Sequence, residues 1–125
     1  MSITSTAAAK HVAVAGNDPH KLISLLMAGL LERVEQARQS IDEGRESDKL
    51  SYLQKITAII HGLRASLNFN DGGDIALNLD SLYDYMLSCL DQAGTDLEKT
   101  RALDEVSNLM LEIKAGWDAI EIRAA

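Results

Sequence analysis

This sequence predicts an all-α fold, an antiparallel up-down-up-down four-helix bundle with a short N-terminal tail, and three observations carry that expectation. Apolar residues return every three or four positions through four separate stretches, the spacing that lines up one face of a helix. Between the stretches stand clusters of Gly, Asn, Asp and Thr of the kind that start and stop helices. The composition is 46% hydrophobic but only 4% aromatic, with one Pro among 125 residues, so the core has to be built from Leu, Ile, Ala and Met.

Residues 1–16 mix Ser, Thr and Ala around a short apolar patch at Val12, Ala13 and Val14 and hold no period. They read as a tail, flexible or covering a groove, ahead of a bundle domain spanning 17–125. Asp18-Pro19 opens the first helix, because Asp caps free N–H groups and Pro lacks the N–H that the first helical position leaves orphaned. The stripe from Leu22 through Ile41 follows, and Gly44 supplies the stop.

Ser47 or Asp48 is the expected cap of a second helix, whose stripe is Tyr52, Leu53, Ile56, Ile60, Leu63 and Leu67 and which ends near Asn68. Asn70-Asp71-Gly72-Gly73 reads as a turn, after which Ile75, Leu79, Leu82, Tyr83, Met86, Leu90 and Ala93 form the face of a third helix. Thr95-Asp96-Leu97-Glu98 has the form of a capping box, in which Thr and Glu side chains satisfy backbone donors at each other's positions. The fourth helix then carries Leu103, Val106, Leu109, Met110, Ile113, Trp117 and Ile120. Connections this short make neighbouring helices antiparallel.

The balance of charge narrows the function. A formal net charge of -7 repels phosphate backbones, so nucleic acid is not an expected partner. The densest apolar run, Leu22 to Leu31, is far short of the ~20 residues that span a bilayer, and no secretory signal follows Met1, so membrane insertion is not expected and the compartment reads as cytoplasmic. Helical bundles can house di-iron centres, but these need Glu-x-x-His pairs, and the residues three before His11, His20 and His61 are Ala8, Asn17 and Ala58. With Cys89 alone, zinc spacing is missing as well. No catalytic residue, metal or cofactor is expected.

One segment competes for a chemical role. His61-Gly62-Leu63-Arg64 is similar to the phosphorylatable histidine of histidine-phosphotransfer domains, in which an exposed imidazole is followed one turn later by a cation that steadies the phosphoryl group. Arg64 is followed here by Ala65, where that family has Gly.

The most specific stretch is Gly72-Gly73-Asp74-Ile75-Ala76-Leu77-Asn78-Leu79, running into Leu82-Tyr83-Asp84-Tyr85-Met86. It closely resembles the flagellar secretion chaperone family, FliS. Asp18-Pro19 before Leu22-Ile23, Gly29, Ile56 to Leu63, and Glu105-Val106 to Trp117 extend the likeness over nearly the whole chain, while Met27-Ala28 stands where that family commonly has Tyr-Asp. The resemblance implies binding of the C-terminal segment of flagellin in the cytoplasm, protection from premature polymerisation, and handover to a component of the flagellar type III export gate, without ATP or metal. A weak homodimer is left open.

Candidate partner-binding residues follow from the helical wheel and from this resemblance. Leu25, Ile59, Leu77 and Leu87, with Leu111, fall off or at the margin of the core stripes and are candidates to line grooves. Ile56, Ile60, Leu63, Leu82 and Met86 join them from the apolar stripes of the second and third helices. Tyr83 and Tyr85 bring rings with polar ends, and Asn78 an amide for a client backbone. Gly29 is expected to allow close helix approach, and Trp117 to pack in the core.

Overall fold

The computed structural model describes residues 18–124, with side chains described to residue 120; the expected tail, residues 1–16, lies outside them. Four helices follow in order: α1 (Pro19–Asp42), α2 (Glu46–Ala65), α3 (Phe69–Gln92) and α4 (Asp96–Ala124). Each lies backbone to backbone against its two neighbours in the ring α1–α2–α3–α4–α1, while contacts across the diagonals are made by side chains. Cross-links fix the directions. Ser24 pairs with Asp118 and Arg38 with Asp104, so α1 and α4 run antiparallel, while Lys49 reaches Asp96 because α2 and α4 start at the same end.

Capping chemistry sets most boundaries as expected. Asp18 accepts from the Lys21 N–H at 3.1 Å with Pro19 in the first helical position, and Gly44, at φ 68°, ends the α1 turn. The capping box forms in full: the Glu98 N–H donates to Thr95 Oγ1 at 3.1 Å, and Glu98 Oε1 accepts from the N–H groups of Thr95 and Gly94 at 3.0 and 2.9 Å.

Three boundaries differ from expectation. α2 starts at Glu46 with Arg45 in the cap position and no side-chain cap bond, because Asp48 is occupied by the Arg45 guanidinium at 2.6 Å. Asn68 does not close α2, which ends at Ala65; it caps α3, accepting from the N–H groups of Asn70 and Asp71 at 3.1 Å each. The Asn70–Gly73 cluster is therefore a helical turn rather than an open one, broken at Gly73, whose φ of 51° and ψ of -126° kink the helix. At Gly72 an added Cβ would come within 2.9 Å of the Ala76 methyl, so that position also needs glycine.

The core is a column of Met27, Leu30, Val34, Ile56, Ile60, Leu63, Tyr83, Met86, Leu103, Val106 and Met110, all fully buried. On α3 Tyr83 and Met86 are buried and Leu79 and Leu90 pack against the core as expected; only the first turn is one position round, with Ala76 inside in place of Ile75. Ile75, expected inside, is 65% exposed. An α-helix turns 100° per residue, so a stripe with apolar residues on both flanks is ambiguous by one step, and the small Ala76 takes the close contact. Ile120 is also exposed, since the packed part of α4 closes at Trp117. An added Cβ at Gly29 meets nothing within 4 Å, so close helix approach does not explain that residue.

Candidate partner-binding grooves

α2 and α3 meet along a seam tied by one cation. The Arg64 guanidinium donates to both carboxylate oxygens of Asp80, at 2.6 and 3.3 Å, and to Asp84 at 3.2 Å. These partners hold Arg64 above its usual range, Asp80 foremost. Beside the seam lies an open groove of about 910 Å³, with Leu53, Leu87 and Leu90 in its floor and His61, Asp84 and Asp91 among its lining. Lys99 closes one end, its ammonium donating to the carbonyls of Ala93 and Gly94 at 3.2 and 3.3 Å.

A second cavity of about 500 Å³ sits at the end of the bundle where α1 starts and α2 finishes, lined by Ile23, Met27, Leu63, Leu79, Tyr83 and Trp117 with a few polar groups at its edge. Trp117 seals one wall. Its indole stacks on the His20 imidazole, centroids 4.4 Å apart and planes 7° apart, and its Nε1–H donates to the His20 carbonyl at 2.8 Å. Alongside, Asp118 is held below the usual carboxylate range by the Lys114 ammonium and by the Ser24 hydroxyl.

The structure separates the twelve candidate binding residues into three groups. Ile56, Ile60, Leu63, Tyr83 and Met86 are fully buried and hold the bundle together; only Leu63 and Tyr83 also face a cavity, the one at the end of the bundle. Burial pushes the Tyr83 phenol up to about 12, so it stays neutral in its apolar setting. Ile59, Leu82 and Leu87 are half-buried, Ile59 and Leu87 against the core, and Leu87 lines the α2–α3 groove. Leu25, Leu77, Asn78 and Tyr85 are exposed, as is Leu111. Tyr85 is not idle there: its hydroxyl donates to Glu105 on α4 at 2.8 Å, and the Glu105 carboxylate, with Cys89 next, raises its pKa to about 12.

His61 is exposed and lines the groove, but the cation that phosphotransfer would need is committed elsewhere, since Arg64 faces α3 and pairs with Asp80 and, at longer range, Asp84. A phosphoryl group at His61 would share the groove with Asp84 and Asp91, and like charge there opposes it. Sequence reasoning missed this tie; the signal was the acidic pair Asp80 and Asp84, four apart on one helix face opposite a lone Arg. It also missed the His20–Trp117 wall, which joins residues from opposite ends of the chain and leaves no local pattern. Among the described residues no group of His, Cys, Asp and Glu is placed to hold a metal ion, and no helix is long and apolar enough to cross a membrane.

The family model for the flagellar protein FliS matches residues 2–124 of this chain. The chain belongs to the FliS family. It is similar to the flagellar secretion chaperone FliSB of Pseudomonas aeruginosa, with 47% identity over 107 residues, 86% of this chain and 84% of that protein. It is also similar to the flagellar secretion chaperones FliS of Vibrio cholerae, 42% over 102 residues (82% and 74%), and of Salmonella typhimurium, 37% over 114 residues (90% and 84%). The Gly72–Met86 stretch that carries the FliS likeness runs from the kink beside the end cavity to Asp84 in the α2–α3 groove, and so borders both openings.

Proposed function

We propose that this protein is a flagellar export chaperone that binds the C-terminal segment of newly made flagellin in the cytoplasm, keeps it from polymerising, and delivers it to the export gate of the flagellar type III system. Family membership sets the class of function. The observation that supports the binding mode is the α2–α3 groove of about 910 Å³, an apolar trough in a frame whose core is already complete without it. A trough of this kind takes an amphipathic helix laid along it. Burying about six apolar client side chains at ~1.5–3 kcal/mol each outweighs an ordering cost of roughly 2–5 kcal/mol, which leaves useful affinity without any nucleotide.

The test is titration calorimetry of the full chain with a peptide from the C-terminus of the same organism's flagellin. The expected result is a 1:1 complex, weakened at least tenfold by Leu87→Asp, because a carboxylate in the trough floor must be desolvated against leucines. No heat and no complex would sink the proposal.

A further inference from the structure

We propose that the α2–α3 groove reads charge as well as apolar surface: it selects an amphipathic client helix that carries two basic residues seven positions apart along one edge, with Asp84 and Asp91 as the residues that recognise them. This rests on the client-groove reading above and adds the chemistry and the facing of the client.

The walls of the groove differ in charge. From α2 come Leu50, Leu53, Gln54, Thr57, Ala58 and His61, without a carboxylate; from α3 come Leu87, Ser88 and Leu90 between Asp84 and Asp91. The one Lys in the lining, Lys99 of α4, is turned onto the Ala93 and Gly94 carbonyls at the end of the groove. Seven residues are two turns, so the aspartates stand on one face of α3 about 10 Å apart, flanking Leu87. That spacing matches the repeat of a client helix packed alongside, whose groove-facing positions also return every seven residues. Asp84 spends part of its charge on Arg64, and Asp91 has no ion-pair partner among the described residues. A client lying with its basic edge toward α3 and its apolar face on Leu53, Leu87 and Leu90 therefore satisfies both walls, and the reverse facing puts its cations against the α2 wall, which offers no carboxylate.

Other occupants fit less well. A second copy of this chain would bring another net charge of -7 to an acidic rim. The chain's own first 17 residues contain Lys10 and no Arg, so they cannot supply two Lys or Arg charges at the required spacing.

The experiment uses the full chain and two peptides of about 18 residues with the same leucine face, one with Lys and the other with Glu at two edge positions seven apart. Two rim pairs at exposed-pair strength correspond to roughly two- to thirtyfold in affinity. The Lys peptide is expected to bind about tenfold tighter at about 50 mM salt, and the ratio should fall toward one at about 0.5 M. Asp91→Asn, which disturbs no ion pair, should cut the preference several-fold, and Asp91→Lys should reverse it, with circular dichroism confirming that both variants keep their helix content. If both peptides bind and neither variant changes the ratio, the charge reading is overturned while the groove stands. Should neither peptide bind, the groove itself fails and this inference with it. A dimer of the free chain that dissociates on Leu87→Asp would put a second copy in the groove and overturn the assignment.

Discussion

Single side chains in this bundle divide sharply between those that hold it and those left for contact. Leu63, closed in by α1 and α3, should cost about 2–5 kcal/mol when cut to Ala, because the lost transfer energy is compounded by a cavity. Leu77→Ser or Leu111→Ser, on exposed positions, should change the unfolding free energy obtained from urea titration by no more than about 0.5 kcal/mol. Titratable groups add a pH dependence of definite sign. Asp96, paired with Lys49, Glu98 in the capping box, and Asp118 beside Lys114 all have lowered pKa values, so their contribution is complete above the ordinary carboxylate range and is lost as pH falls through the depressed values. Lys49 and Tyr83 have raised values, so their contribution is complete below about pH 10 and is lost as pH rises beyond it. Urea midpoints should therefore be level from about pH 5 to 9 and fall on both sides, and Asp96→Asn should make the acid limb shallower.

Helix ends show how far local chemistry reaches at the scale of an element. Asp18-Pro19 and Thr95-x-x-Glu98 are self-contained, since donor and acceptor lie within one turn, and both form as the sequence pattern requires. The start of α2 was misplaced because the Asp48 carboxylate had two suitors, the helix N–H groups and Arg45, and the cation won. Glycines give the sharpest test. Gly73 sits at φ 51° and Gly29 in an open helical position, so the two should respond to Ala in opposite directions. Gly73→Ala should lower stability by about 1–2 kcal/mol through the strained backbone, and Gly29→Ala should raise it by up to about 1 kcal/mol, since the added methyl meets nothing. Thermal unfolding of both variants against the parent decides it, and a gain at Gly73 would mean that the kink is not imposed by that backbone conformation.

At the scale of the whole molecule, one ring of four helices has to supply both a complete core and surface to spare. The ring closes with few polar ties on α3: among the described residues, Arg64 holds it to α2 and the Tyr85 hydroxyl holds it to α4. Both openings border that helix, so a bound client adds contacts where the bundle has fewest. Client peptide at a hundred times its dissociation constant should then stabilise the protein by about 2.7 kcal/mol, read as a rise in melting temperature. Leu87→Asp should abolish that rise, and a rise that persists in this variant would place the client elsewhere.

The fold class, the four helices, two of the caps and the family were legible in the sequence, because each is written in residues close together or in a long contiguous motif. Periodicity also marked Leu25, Leu77 and Leu111 as lying off the core stripes. What only the tertiary structure decided depends on residues far apart in the chain. The hundred-degree choice between Ile75 and Ala76 was made by what α3 packs on, Arg64 was drawn to Asp80 and Asp84 instead of serving His61, and Trp117 met His20 across the bundle. The grooves belong to this second class, since a groove is the space between two helices, and no single stretch of sequence contains it.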